Sequence, residues 1–441
     1  MPRDAAPPSR FSLAKRYHRG VVVLRPYWAL LAVVILVLAS APFAIAPVRD
    51  AVTLVPIAEA TLRRPLSYVL LAPLSDVLDL LTLLSLRQHV ALLLTLLLGY
   101  AAWWGWRGRV IPVTVAPRRR GVRLAARLGL AALALLAVYG AAVLLPRPMA
   151  ALEVAPDVLT VDFHAHTKYS HDGRPDWGPE DVRAWHRDAG FAAAFITDHR
   201  TFEGARDAWA NNPGLAGEGV SLLPAIEVVW KGEHVNVLDA DRTYRGILTE
   251  TLRDIDDAAL ALASAVPGNE PLLVQTLPGD LSKMIPADGP GTAGVRAIEL
   301  VDGAPKGLGQ TRRERARIIH LADSLGLAHV AGSDHHGWGH TAAGWTLLYL
   351  PNWRSATPDE LTDAIVTILR RGALHSTKVV ERYVPYTESG VALPFTAPLV
   401  LWGMLRTLSR DERMVWIVWA LLIFLVARYG FSRRAATDPA R

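Results

Sequence analysis

Residues 161–174 read VDFHAHTKYSHDGR. A short apolar run ends in His164 and His166, alternate positions whose side chains share one side of an extended segment. Two imidazoles placed this way can converge on one cation. Asp172 follows six residues after His166, in a turn closed by Gly173, and adds a carboxylate. A single histidine at a strand end is most often a satisfied structural residue. Here the chain places three within eight residues although it has only 14 in 441.

Outward from this stretch, residues 157–383 alternate as βα units do. Apolar runs at 158–163, 191–197, 220–228, 234–238, 271–276, 297–301 and 329–333 predict seven strands. Helical patterns lie at Pro179–Ala189 closed by Gly190, from Tyr244 to Val266, at Thr311–Leu325, and at Pro358–Arg371 closed by Gly372. The alternation predicts a (β/α) barrel, in which chemistry gathers at the C-terminal strand ends. Those ends carry the capable residues: Thr197-Asp198-His199 after the second run, Glu227 in the third, His234 opening the fourth, and Ser333-Asp334-His335-His336 after the last. Twelve of the 14 histidines fall between 164 and 375. Such an imidazole and carboxylate mixture suits Zn, Mn or Fe. With no cysteine in the chain there is no thiolate metal site and no disulfide.

The flanks are a different material. Residues 151–390 hold 22 Lys+Arg against 33 Asp+Glu, a net charge of −11, while the rest of the chain holds 25 against 8. The acidic middle disfavours long nucleic acids as partners. Trp28–Ala46, Val90–Trp106 and Leu128–Leu145 contain no charged residue, and each meets the roughly 17–25 apolar residues that a span requires. Trp103, Trp104 and Trp106 close the second in the manner of an interfacial belt. Six Lys/Arg before the first span and seven Arg in 107–127 put both segments on the cytoplasmic side. Leu66–Leu86, interrupted by Asp76 and Asp79, is then an interfacial or re-entrant helix. Leu128–Leu145 delivers the acidic region outside. Met414–Ala427 and Val391–Leu405 make one C-terminal crossing or a hairpin. The expected organisation is a membrane region at 1–149, a hydrolase domain at 150–388 and a C-terminal membrane segment at 389–441, joined by linkers at Pro146–Pro156 and Tyr386–Pro394. The expected location is a bacterial-type plasma membrane with the middle domain extracytoplasmic.

The motifs HAHTKYSHDG, TDH, the Glu227 strand and GSDHH resemble those of the polymerase and histidinol phosphatase (PHP) superfamily of metal-dependent phosphoesterases. The resemblance covers residues 157–385 and implies a distorted (β/α)7 barrel holding two or three divalent metal ions, Zn, Mn or Fe. Carried over by position, the ligands would be His164, His166, Asp172, His199, Glu227, His234, Asp334 and His336. One position departs: where the family usually has a histidine, this chain reads LLVQTLPGD, so Gln275, or less favourably Thr276, stands there. An amide is a weaker ligand than imidazole, which favours a dinuclear centre. His171 and His335 are expected beside the ligands or facing solvent, and Glu299 beside the site rather than on a metal.

The chemistry implied is in-line hydrolysis of a phosphate ester by a metal-activated water. Asp334 could accept a proton from that water and His340 could protonate the leaving group. Lys168 and Arg200, each next to a metal motif, are the candidate cations for the phosphoryl oxygens. The expected partners are the lipid bilayer and a small phosphorylated substrate or lipid-linked phosphate. Two other readings compete: a non-catalytic metal-binding sensor or assembly module, and a metal-dependent amidohydrolase.

Overall fold

A computed structural model of the protein describes residues 27–110, 117–230, 233–239, 272–277, 295–371, 375–387 and 392–437. The helix expected from Tyr244 to Val266 and the stop at Gly372 lie outside these residues. In chain order the strands are β1 Val48–Asp50, β2 Ala60–Arg63, β3 Ala151–Val154, β4 Val158–Ala165, β5 Ala193–Ile196, β6 Ser221–Trp230, β7 Glu233–Leu238, β8 Leu272–Gln275, β9 Val295–Asp302, β10 Ala328–Gly332, β11 Gly344–Tyr349 and β12 Lys378–Arg382. The helices are α1 Trp28–Ser40, α2 Leu66–Leu70, α3 Ala72–Thr82, α4 Leu86–Val110, α5 Pro117–Leu144, α6 Pro179–Ala189, α7 Glu203–Ala210, α8 Pro305–Leu308, α9 Arg312–Leu325, α10 Pro358–Arg371, α11 Thr396–Thr407 and α12 Arg410–Thr437.

Ten strands form one curled sheet in the order β1-β12-β11-β4-β5-β6-β7-β8-β9-β10. All seven expected strands are in it. The sheet is mixed, which the barrel expectation did not contain: β4–β5–β6 and β8–β9–β10 pair in parallel, but β7 runs antiparallel to both of its neighbours. The reversal at β6–β7 brings the start of β7 beside the end of β6. It pairs Val229 with His234 and Glu227 with Asn236. A residue that opens a strand thereby joins those that close others.

The sheet curls until its last strand meets β4. His166 N–H donates to His335 O at 3.2 Å and Asp334 N–H donates to His164 O at 2.9 Å, with a parallel bridge between Ala165 and His335. Asp162 locks the same seam: its carboxylate accepts from the Ser333 and His164 N–H groups at 2.9 and 3.1 Å and from His186 Nε2 at 2.7 Å. β4 is buried along nearly its whole length, as a strand covered on both faces must be. Phe163 and Phe195 stack at 5.4 Å within the curl, and on the outside Trp185 of α6 belongs to the same apolar cluster as Trp345 of β11.

The helices that cover the sheet start and stop where their sequence says. Gly178 N–H donates to Asp181 at the head of α6, and Gly190, with φ +87°, ends it. Thr311 and Glu314 exchange side-chain and backbone bonds of 3.2 and 2.7 Å at the head of α9.

Three short strands come from segments read as membrane region or linker. β1 is the sheet's edge strand on β12, and β2 pairs with β3, which occupies part of Pro146–Pro156. Of residues 48–63, β1 thus joins the ten-stranded sheet and β2 makes a separate two-stranded sheet with β3. The segment Leu66–Leu86 forms α2 and α3, and its two acids are buried. Among the described residues two helical stretches, Leu86–Trp106 and Gly121–Leu144, are long and apolar enough to cross a membrane, and Trp28–Phe43 is a shorter apolar helix. Large side chains such as Leu94, Leu98, Leu130, Leu133 and Leu136 face outward from α4 and α5.

Candidate metal centre

Beyond the end of β5, the β5–β6 pairing continues through a bridge between His199 and Glu227, with Arg200 N–H donating to Glu227 O at 3.0 Å. In β4 the register on β5 shifts between Asp162 and Ala165, an irregularity that re-aims the strand end. These two local features turn His164, His166, His199 and Glu227 toward one point. Asp334 enters from the last strand with φ +46°, a left-handed conformation unfavourable for a residue with a Cβ and frequent at functional sites.

Glu227 is the hub. Its Oε2 lies 2.9 Å from His164 Nε2 and 3.3 Å from both His166 Nε2 and His199 Nδ1, while Oε1 lies 2.5 Å from His234 Nδ1. Asp334 Oδ1 lies 3.1 Å from His166 Nε2 and 3.4 Å from His164 Nε2. Asp172 Oδ2 approaches His336 Nε2 at 3.2 Å and His199 Nε2 at 3.4 Å. The rings of His166 and His336 stack at 4.1 Å. The donors form overlapping groups small enough for one ion each: His164, His166 and Glu227; His199, Glu227 and His234; His166, His199 and His336. His166, His199 and Glu227 are each shared by more than one of these groups.

Several of these atoms are buried without a hydrogen bond. Both ring nitrogens of His166, Nε2 of His336 and both amide atoms of Gln275 are in this state. The short His166 to Asp334 approach is therefore one of proximity and not of a directed N–H bond. Buried polar groups normally find partners, and convergent lone pairs that lack them fit a cation. Gln275 ends β8 opposite Val235, and its neighbours Thr276 and Leu277 bond to His234 O and Glu299.

The charge state without a cation is consistent with this fit. Burial works against charge on His166, but the Asp334 and Glu227 carboxylates outweigh it and raise its pKa to about 9. Burial likewise opposes charge on His164, where Glu299, Asp334 and Glu227 prevail and hold the pKa well up. Burial pushes His199 down to about 4 and lowers His336 as well. Burial would raise Glu227 and Asp334, yet the surrounding imidazoles hold both below the usual carboxylate range. Protons thus stand where cations would neutralise the same carboxylates, so metal binding must release them.

Every proposed ligand except Gln275 is within this cluster, and Gln275 lies on the adjoining strand. His171 is 73% exposed but near enough to group with Asp172 and His199. His335 is not solvent-facing: it is buried, stacked on Trp185 at 4.2 Å, with Nε2 3.1 Å from Gly339 O. Glu299 accepts from His164 Nδ1 at 2.8 Å, which leaves the other nitrogen for the centre. Gly332 permits this pair, since a Cβ there would come within 2.6 Å of both Glu299 Oε1 and His164 Cβ. Lys168 and Arg200 are exposed at the rim, Lys168 with Nζ 5.1 Å from the Tyr169 ring. His340 is half-buried, and burial together with Arg147 and Arg174 lowers its pKa.

Sequence reasoning passed over two carboxylates. Asp162 clamps the seam between β4 and β10, and Asp198, named in the TDH motif but given no role there, accepts from Thr167 N–H and Oγ1 at 2.6 Å each and so fixes the strand end that carries His166. A buried acid inside an otherwise apolar strand was the available signal for Asp162.

No family model matches the chain, and no curated protein matches it. Among solved structures it is similar to PsfC from Pseudomonas syringae PB-5123, at 16% identity and TM-score 0.35, over 56% of this chain and 98% of that one. A protein from Bifidobacterium adolescentis provisionally described as a metal-dependent phosphoesterase matches at 17% identity and TM-score 0.29, over 47% and 96%. The lesion-specific endonuclease PfuEndoQ from Pyrococcus furiosus matches at 14% identity and TM-score 0.37, over 48% and 56%. All three TM-scores are below 0.5, and the reading of the centre rests on its own residues.

Proposed function

We propose that this chain is a membrane-anchored, metal-dependent phosphoesterase whose metal centre lies on the extracytoplasmic side. The observation that carries the reading is the convergence of imidazoles and carboxylates from β4, β5, β6, β7 and β10 on one point, with buried ring nitrogens left unpartnered there. Among the described residues the ion-pair partners of those carboxylates are imidazoles, which bind metal only when they give up their protons.

His164, His166, His199, His234, His336, Asp172, Glu227 and Asp334 would hold two or three ions of the Zn, Mn or Fe type, with the Gln275 amide as a weaker donor at one of them. Such ions, when bound, neutralise phosphoryl oxygens and lower the pKa of water. Asp334, its side chain 19% exposed on a strained backbone, is placed to accept a proton from the attacking water. Lys168 and Arg200 supply rim cations for the phosphoryl group, and His340 is the candidate donor to the departing oxygen.

The anchoring reading is supported by the outward apolar faces of α4 and α5 and by the chain path. With 1–27 and 107–127 cytoplasmic, α1 crosses to the outside, where β1 joins the sheet and β2 pairs with β3. Then α4 returns and α5 crosses again to reach β3 on the same side. An odd number of spans between β2 and β3 would have separated paired strands.

The full chain purified in detergent with Mn or Zn should hydrolyse p-nitrophenyl phosphate, and His166→Ala should abolish turnover. Tight metal binding without hydrolysis of any phosphate ester would instead favour the sensor reading.

A further inference from the structure

One side of the metal centre opens into a cleft of about 640 Å³ whose inner wall carries Asp172, Asp334 and His336 and whose opposite wall is made by α3, α4 and α5, through residues such as Leu81, Leu86 and Val143. That volume is within the roughly 300–1,000 Å³ of small-molecule sites and leaves room beyond a phosphoryl group. The two walls are tied together. Gly339 N–H, in the loop that follows His336, donates to Val143 O at 3.0 Å, and Thr341 Oγ1 bonds to Thr82 Oγ1 at 2.8 Å and to Asp79 Oδ1 at 2.9 Å. The polar features of the helical wall include His89 and Tyr139, bonded to each other at 2.8 Å. Trp338, 47% exposed, stands on the same cleft.

The helical wall is therefore largely apolar, fixed against the metal centre, and built mainly from α4 and α5, which among the described residues are the two helices long and apolar enough to cross a membrane. We infer that the substrate is an amphiphilic phosphomonoester that reaches the cleft from the bilayer, its phosphate at the metal donors and its hydrocarbon tail along α4 and α5. This rests on the phosphoesterase reading and narrows it. In the reaction, the oxygen of water bonds to phosphorus and the ester P–O bond breaks with its electron pair on the chain oxygen. That oxygen takes up a proton, giving a long-chain alcohol and inorganic phosphate. The alcohol stays with the membrane and the phosphate leaves to water.

The test compares butyl, octyl and hexadecyl phosphate with the Mn-loaded full chain in one detergent, measuring kcat/KM by phosphate release. Each methylene removed from water contributes about fourfold at most, so octyl phosphate should exceed butyl by at least about tenfold, with hexadecyl phosphate no worse than octyl. Val143→Trp, which fills the cleft from a partly exposed position, should bring the octyl to butyl ratio to near one, and Leu86→Asn should lower it. Metal content equal to the parent protein certifies that both variants are folded. Hydrolysis of butyl and octyl phosphate at equal rates, abolished by His166→Ala, would overturn the amphiphilic substrate while leaving the phosphoesterase reading intact. Hydrolysis of none of them, nor of p-nitrophenyl phosphate, by the metal-loaded chain would remove the phosphoesterase reading and this inference with it.

Discussion

Two buried charge clusters, joined through the loop from Asp334 to Thr341, are built on opposite principles. Around Asp79, each charge has a permanent partner: Arg382 at 2.7 Å, Arg147 in direct contact, and the hydroxyls of Tyr68 and Thr341 at 3.0 and 2.9 Å. Around Glu227, the partners are imidazoles, several with unsatisfied nitrogens. A guanidinium remains charged at any ordinary pH, so the first cluster is committed to its pairing. An imidazole can discard its proton, so the second can exchange protons for metal. Matched, irreversible pairing marks a structural joint between the helices and the sheet. Convergent, exchangeable pairing marks a site.

Substitution should separate the two. At the metal centre, Glu227→Gln should reduce p-nitrophenyl phosphate turnover on the order of 10³-fold by taking the shared carboxylate from the metal donors, with a small change in the melting temperature of the metal-free protein, because His164 and His166 can then deprotonate. At the joint, Asp79→Asn should have the opposite profile. It strands two guanidiniums in a buried place and should cost about 3–5 kcal/mol of stability, read as a large drop in melting temperature. A drop for Glu227→Gln as large as that for Asp79→Asn would erase the distinction.

A pH scan sharpens the comparison at the loop that joins the clusters. Burial pushes the His335 pKa down to about 3 from an ordinary value near 6.5. Between those values the unfolded chain binds a proton that the folded chain refuses, so stability rises with pH across the window. The contribution is complete above about pH 6.5 and is lost as pH falls toward 3. Metal-free protein should lose on the order of a few kcal/mol over that range, and His335→Phe should flatten the slope of its melting temperature. A slope unaffected by the substitution would assign the acid lability elsewhere.

A smaller effect is expected one bond away from the metals. Glu299→Gln keeps the shape but weakens the hold on His164 Nδ1, which should lower metal affinity roughly 10- to 100-fold. Competition with a chelating dye reads this directly. An unchanged affinity would make Glu299 a spectator. Lys168→Ala should have the least effect, a loss within about tenfold in kcat/KM with metal content intact, as suits an exposed rim cation.

The sequence revealed the centre more fully than the frame around it, for a physical reason. Donors at strand ends come with local spacing: His164 and His166 alternate, and Asp334 to His336 are contiguous, so their pattern is visible in a few residues. The reversal of β7 was not visible, because antiparallel pairing depends on the partner strand and not on the run itself. β11 and β12, with GWTLLY and KVVER, carry no histidine of the kind that drew attention to other strand ends, and β1 to β3 are three or four residues long. Asp162 joins residues 24 and 171 positions away, and no local pattern encodes such contacts. Asp76 and Asp79 interrupt an apolar run that folds as the two short helices α2 and α3. Their partners Trp416, Arg147 and Arg382 lie too far along the chain to have been read.

The most direct test of the account is a paired measurement of metal content and p-nitrophenyl phosphate turnover on one preparation of the full chain, before chelation, after it, and after return of Zn, Mn or Fe. The account predicts two to three ions per chain in the active protein, loss of both ions and turnover on chelation, and recovery of both together. A folded chain that retains no Zn, Mn or Fe at micromolar supply, or one whose turnover is indifferent to their removal, would contradict it.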